Sequence, residues 1–398
     1  MPSSAFTFRR AAFAALLAAS WATAANAGAT SFQDLGALDP AAEGIFIEQS
    51  LTQGPDGRMY GVSPNVGQVG NGIGGAVFRV EGDGRLTVVH TFDVADGYQP
   101  EGPLTLGADG WLYGTTFSGS SGGFGEVFKI SPAGELVVVH AFSPSADGGM
   151  GYPHDHLVPD GQGGFYGLAE IVGVAGVIFH LTADARLSML AEFAGSHVGA
   201  LPTALTSGPD GVLYGATLIG PPGSPGSGGT VFSLRPGGRL KTLHVLDSSV
   251  DGASPGRSMA IGGDNAVYGA ATSGGASGMG TIFRVTPAGA FKVIHTFYTG
   301  AGAADPLGGY PNGVTSSADG RLYGTSSGGG AHWGGTAWSM SLDGRGSVLH
   351  GFLSPYGVAG CKPMAVPTWT PDGALWGVTD SGATFDDGAV FRIGLGPK

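Results

Sequence analysis

The sequence predicts an all-β chain folded as a seven-bladed β-propeller of four-stranded antiparallel blades, with the N-terminal strand closing the last blade. Three observations predict it. The first is a triplet of hydrophobic residue, aromatic residue and glycine that occurs seven times, its aromatic members being Tyr60, Tyr113, Tyr166, Tyr214, Tyr268, Tyr323 and Trp376. Their spacings of 53, 53, 48, 54, 55 and 53 mark one supersecondary unit copied along the chain. The second is an aromatic that follows each triplet after a glycine-rich stretch, at Phe78, Phe128, Phe179, Phe232, Phe283, Trp338 and Phe391. The third is the state of the two ends, where a unit lacking its outer strand meets an orphan strand.

The chain begins with Arg9-Arg10, an apolar run to Ala24, and Ala25-Asn26-Ala27. Basic residues, an apolar stretch and small residues at the -3 and -1 positions describe a secretory leader cut after Ala27. Residues 1–27 are therefore expected to be a signal peptide and 28–398 a single propeller domain, secreted or periplasmic. No later segment is long and apolar enough for a membrane span, and the one cysteine, Cys361, precludes an intrachain disulfide.

Pro103 to Phe142 serves as the type unit. Leu104-Thr105-Leu106 reads as a short inner strand, Ala108-Asp109-Gly110 as a hairpin turn, and Trp111 to Thr116 as the second strand. Ser118 to Gly125 is a glycine-rich loop, Glu126 to Ile130 the third strand, Ser131 to Gly134 a turn, and Glu135 to Phe142 the outer strand. Four such strands make a blade. The last unit stops at Phe391-Arg392-Ile393, while Phe32 to Leu38 stands 22 residues before Tyr60, the distance from Leu246 to Tyr268. The N-terminal strand is thus expected to supply the missing outer strand and remove an open edge. Strand parity puts the two short turns of each blade on one face and the glycine-rich loops with the blade-to-blade connections on the other, where function is expected.

Composition narrows the partners. The leader holds two of the 18 basic residues, leaving 16 against 30 acidic ones, a net charge of -14 that argues against nucleic acid. With 77 glycines and 12% charged residues the chain could pass for disordered, but its 42% hydrophobic content requires a packed interior. Glycine here punctuates strands. A monomer is expected.

The wording of the units, as in Leu112-Tyr113-Gly114-Thr115-Thr116, Gly122-Gly123 before Val127-Phe128, Val139-His140-Ala141-Phe142 and Asp147-Gly148, resembles the GloVer tandem-repeat family of exported bacterial proteins. The resemblance covers nearly all of the mature chain and implies architecture and export without a general activity. Members often carry a C-terminal sorting anchor. No such anchor is found here, which favours a released or periplasmic product.

A residue that recurs in most blades is structural, because packing needs it in every blade and chemistry needs it once. His90, His140, His244, His295 and His350 share one outer-strand position and are assigned to packing or hydrogen bonding. Gly252 to Gly256 and Gly324 to Gly328 spell a nucleophile elbow, and Gly70 to Gly75 a dinucleotide loop, but both motifs need a strand running into a helix. No paired-cysteine or His-Glu-x-x-His zinc pattern occurs. No cofactor is expected; Asp96-Gly97, Asp147-Gly148 and Asp251-Gly252 could donate oxygens to calcium, but turn formation accounts for them.

What remains is a set of non-repeating polar residues at the starts of the inner strands: Glu48, Glu101, His154, Asp155, His156, Thr203, Arg257, Asn312 and Lys362. They are expected to converge on the ring axis as a polar funnel. His154, Asp155, His156 and Arg257 are the candidates for chemistry, the others for ligand binding. Tyr98, Tyr152, Tyr310, His332, Trp333 and Tyr356 on the adjoining loops could stack on sugar rings. Three functions follow. The funnel could bind an extracellular glycan or peptide without breaking a bond. It could be a carbohydrate-active site, foremost a polysaccharide lyase with His154 or His156 as base and Arg257 or Lys362 as neutraliser, and secondarily a glycoside hydrolase using Glu48 and Glu101. The chain could also be an envelope scaffold.

Overall fold

The computed structural model describes residues 30–37, 49–64, 74–93, 95–119, 122–171, 174–193, 197–224, 226–300, 303–353, 361–381 and 389–395. The proposed leader and its cleavage point lie outside the described residues. Seven antiparallel blades follow one another around a ring. Blade 1 holds Thr52–Gln53, Met59–Ser63, Ala76–Val80 and Leu86–Thr91; blade 2 holds Tyr98–Leu106, Leu112–Ser118, Glu126–Ile130 and Leu136–Ala141. Blade 3 holds Met150–Pro159, Phe165–Ile171, Val174–Leu181 and Leu187–Glu192; blade 4 holds Ala200–Ser207, Leu213–Ile219, Ser227–Leu234 and Leu240–Asp247. Blade 5 holds Ala253–Ile261, Val267–Ser273, Thr281–Val285 and Phe291–Thr296. Blade 6 splits its inner strand into Gly309–Pro311 and Thr315–Ser316, followed by Leu322–Gly328, Trp333–Met340 and Gly346–Leu353. Blade 7 splits its own into Cys361–Pro363 and Thr368–Thr370, followed by Ala374–Ser381 and Ala389–Leu395.

The outer strand of blade 7 is Thr30–Ala37, antiparallel to Ala389–Leu395 with Phe32 opposite Ile393 and Asp34 opposite Phe391. It starts two residues earlier than the sequence suggests. Inner strands are also longer than expected: that of blade 2 begins at Tyr98 rather than Leu104, because the segment ahead of Leu104 pairs with the second strand across a register shift between Glu101 and Thr105.

One contact explains both recurrent anchors. The second aromatic brings the tip of its ring against the glycine of the triplet, so a Cβ on Gly377 would stand 2.2 Å from Phe391 Cζ, and on Gly114 2.6 Å from Phe128 Cζ. The other five blades repeat this approach. Only glycine leaves room for the ring, and the ring then fills the space between neighbouring blades. Phe128, for example, packs with Tyr60, Val77, Phe92 and Leu104, drawn from blades 1 and 2. The apolar interior is accordingly a ring of inter-blade clusters rather than one central core.

Polar clips hold the ends of the strands. Tyr60, Tyr113 and Tyr323 donate to Asp56, Asp109 and Asp319 of the turn before them at 2.8–2.9 Å. The recurrent outer-strand histidines bind the aspartates of the following connection: His90–Asp96 2.7 Å, His140–Asp147 3.1 Å, His244–Asp251 2.8 Å and His295–Asp305 2.8 Å. The Asp-Gly pairs considered as oxygen donors for calcium are therefore the histidines' partners. His350 instead stacks on Phe32 of the closing strand, centroids 3.5 Å apart.

Candidate functional site

The inner strands are stitched to one another around the axis. Thr52 Oγ1 donates to the Leu104 carbonyl at 2.5 Å, Thr105 to Leu157 at 2.7 Å, Ser258 to Val314 at 3.1 Å, and Thr368 to Leu51. At the seam between blades 3 and 4, His156 takes this part, donating to the backbone carbonyl of Leu205. Thr203 reaches the Pro255 carbonyl at 3.2 Å, and Asn312 Nδ2 reaches Thr325 Oγ1 at 2.9 Å and the Pro363 carbonyl at 2.6 Å. Both of these candidates thus also tie neighbouring blades together.

Six inner strands start on a left-handed residue: Gln99, Tyr152, Leu201, Ser254, Tyr310 and Lys362, with φ between 52° and 58°. Repetition marks this as part of the blade design. Asp155 is a different case. Its φ is 64°, three residues after the left-handed strand start, where blade 2 places Gly102 with φ 80° and blade 6 places Gly313 with φ 156°; Asp155 is the one non-glycine residue among the three. A non-glycine residue held in this region costs about 1–2 kcal/mol. The strand shifts register on both sides of His154, and the turn at Asp155 sends the flanking imidazoles apart.

Two cavities result. The larger, about 690 Å³, runs along the axis and is lined by Glu101, Asp155, His156, Arg257, Asn312 and Trp369, with further residues of the inner strands. The smaller, about 200 Å³, is lined by Glu101, His154, Asp155, Glu170, Thr203 and Arg257, among others. Glu101, Asp155 and Arg257 line both and form the partition. Trp369 stacks on Tyr323 in the wall of the larger cavity, 5.4 Å between centroids.

Asp155 is 4% exposed. Its Oδ1 meets His156 Nδ1 at 3.1 Å, and its Oδ2 has no hydrogen-bond partner among the described residues. The two histidines titrate in opposite directions. Burial pulls the His154 pKa down, and Arg257 adds to this against the opposing pull of Asp155, so the imidazole is neutral at ordinary pH. Burial works against the His156 imidazolium too, but the Asp155 charge, its hydrogen bond and the Leu205 carbonyl outweigh it and hold the pKa above the ordinary value. The imidazole whose pKa is lowered thus faces the small cavity and the one whose pKa is raised faces the large one. Groups whose environments push their pKa values apart are suited to acid and base roles.

The other candidates are distributed more widely. Tyr152 packs against Phe117 and Phe124, at 5.2 and 5.5 Å between centroids. Tyr98, Lys362, Tyr310, His332 and Trp333 line neither cavity. Glu48 and Tyr356 lie outside the described residues, so the carboxylate pair expected for hydrolysis is not placed. Glu170 was not among the expected residues. It belongs to the second strand, and testing that strand for non-repeating polar residues would have found it. Among the described residues, no three His, Cys, Asp or Glu side chains are grouped so as to hold a metal ion, and no helix is long and apolar enough to cross a membrane.

Comparison with solved structures gives the same architecture. The extracellular domain of a Bacteroides thetaiotaomicron protein described as a hybrid two-component system matches with a TM-score of 0.60 and 11% identity, over 91% of this chain and 40% of that one. A second such domain from the same organism matches with a TM-score of 0.56 and 9% identity, over 91% and 41%. A gluconolactonase from Xanthomonas campestris matches with a TM-score of 0.46 and 17% identity, over 81% and 90%. The chain thus spans about two fifths of the length of the two Bacteroides chains, and identities this low show the fold alone. No curated protein matches it. The Gloeobacter/Verrucomicrobia repeat model matches residues 22–175 and 222–396, most of the sequence and both halves of the ring, and the chain belongs to that repeat family.

Proposed function

We propose that this chain is an exported binding protein that holds a carbohydrate in its axial funnel, with Glu101, Asp155 and Arg257 as the recognition centre. One observation carries the reading: two adjacent polar cavities share a buried, left-handed aspartate with an unpartnered oxygen in their common wall. Backbone strain and an orphaned buried acceptor both cost folding free energy, and such costs cluster at functional sites. Carboxylates and a guanidinium around a water-accessible cavity suit a ligand rich in hydroxyl groups. Export is supported by the N-terminal leader pattern.

The test is calorimetric titration of the mature chain with neutral and acidic oligosaccharides, alongside Arg257→Ala and Glu101→Gln. Saturable binding weakened about tenfold or more in either variant is expected, the loss of a charge-assisted hydrogen bond being worth roughly 1.5–3 kcal/mol. No saturable ligand, or affinity unchanged from the parent in both variants, would overturn the reading and leave the scaffold role.

A lyase reading is favoured by one further observation, that neutral His154 and Arg257 line the same small cavity. His154 would take the proton beside a uronate carboxylate neutralised by Arg257. The carbon–carbon double bond forms as the glycosidic C–O bond breaks, and the leaving oxygen is protonated from solvent. An ultraviolet-absorbing unsaturated product, lost in His154→Ala, would establish this over simple binding.

A further inference from the structure

Blades 5 and 6 build the same loop twice. Between their second and third strands run Gly274-Gly275-Ala276-Ser277-Gly278-Met279-Gly280 and Gly329-Gly330-Ala331-His332-Trp333-Gly334-Gly335. Each is closed by an isolated parallel bridge, Gly274 to Met279 and Gly329 to Gly334. The dihedral angles agree position by position: φ is 69° at Gly274 and 72° at Gly329, 72° at Gly275 and 74° at Gly330, 92° at Gly280 and 89° at Gly335. At the remaining left-handed position blade 5 uses Gly278, φ 72°, and blade 6 uses Trp333, φ 63°. Blade 2 also has a left-handed glycine here, Gly123 with φ 75°.

A bulky side chain at a position made for glycine is an outlier that needs a compensating gain. Packing does not supply it, because Trp333 is 66% exposed, more than any other large hydrophobic side chain among the described residues. The loop does not require it either, since the same backbone forms in blade 5 with open space around Gly278. Tyr310, 44% exposed, stands on the same face and lies over Gly328, one residue ahead of this loop. Glycines therefore neighbour both residues, Gly334 and Gly335 after Trp333 and Gly328 beneath Tyr310, while the His332 ring lies over Gly351 of the outer strand.

We infer that Trp333 and Tyr310 form a stacking platform for a neutral sugar ring, a second binding subsite on the loop face of blade 6 that stands apart from the axial funnel. A pyranose presents one face of C–H groups, which packs on an aromatic ring, while its equatorial hydroxyls reach outward to the phenol of Tyr310 and the imidazole of His332. Two exposed aromatic rings beside glycines suit this ligand better than a peptide, which would need pockets for alternate side chains.

The internal repeat supplies the test. Trp333→Gly installs the residue that blade 5 already uses, so the variant should melt at the same temperature as the parent or higher. Its affinity for neutral hexasaccharides of glucose or N-acetylglucosamine should fall about tenfold, the upper end of an aromatic contact. Unchanged affinity in Trp333→Gly, a lowered melting temperature in that variant, or Trp333-dependent binding to phosphatidylcholine vesicles instead of sugars would each overturn the inference. Arg257→Ala separates the two sites: affinity lost there but kept in Trp333→Gly supports the funnel and sinks the platform, and the reverse result does the opposite.

Discussion

Glu126 stands where three other blades place a threonine. Thr230, Thr281 and Thr336 donate to the carbonyls of Val198, Asp251 and Leu307 at 2.5–2.6 Å, in each case pinning the connection that leads into the blade's own inner strand. In blade 2 the corresponding connection carries Asp96, the partner of His90. Glu126 is 1% exposed, and its Oε2 has no partner among the described residues. Burial, reinforced by the nearby Asp96 charge, pushes its pKa from 4.5 to about 7. The folded protein therefore binds more protons than the unfolded chain between these values, and stability falls as pH rises from 4.5 to about 7, then stays level. At about 1.4 kcal/mol per unit, the loss is about 3 kcal/mol. Glu126→Thr, which supplies the hydroxyl used elsewhere, should be more stable than the parent at pH 8 by up to that amount, with a smaller gain at pH 4. Denaturant melts at the two pH values check it, and an advantage independent of pH would show that Glu126 does not titrate in this range.

At the scale of the strand pair, the triplet glycine and the second aromatic act as one part. Gly269 accepts the ring of Phe283, whose Cζ would stand 2.5 Å from a Cβ added to that glycine. Ring and backbone cannot both stay in place once a methyl group is added, so Gly269→Ala should cost about 1–3 kcal/mol by overpacking. Phe283→Leu removes the obstructing atoms and leaves a cavity, costing about 1–3 kcal/mol by itself. Combined, the two should cost clearly less than their sum, since each relieves the strain or void that the other creates. A double-mutant cycle measures the coupling, and strict additivity would mean that the ring is not what excludes the side chain. The same element explains why the blade order is legible in the sequence. Sterics at this contact admit one residue type at one end and a large ring at the other, so every copy kept its spelling.

For the whole molecule, the number of blades, their order and the strand that closes them follow from repetition and from the two incomplete ends. The site is legible only in part. Aligning the repeats on Tyr166 and its equivalents puts Glu101, Asp155, His156, Arg257 and Asn312 at the starts of the inner strands, and these five line one axial cavity. The alignment cannot show that His154 and His156 face different cavities, because the register shifts and the left-handed Asp155 break the alternation of side chains that a strand pattern assumes. Nor does it place Lys362 away from the funnel, although that residue lines neither cavity. Closure itself can be tested. Thr30–Ala37 covers the exposed edge of Ala389–Leu395, and Phe32 lies on His350, Phe352 and Phe391. Burial, with some help from His332, depresses the His350 pKa to about 4. A chain lacking residues 30–37 should lose more melting temperature than any single substitution above, and should self-associate through the bare edge in sedimentation experiments. In the same chain the His350 pKa, followed by NMR, should climb back towards 6.5 as solvent reaches the ring. The free octapeptide of residues 30–37 should reverse all three changes by refilling the blade. Unchanged melting with His350 still depressed would mean that the ring holds its seventh blade by other contacts and that the N-terminal strand is an accessory.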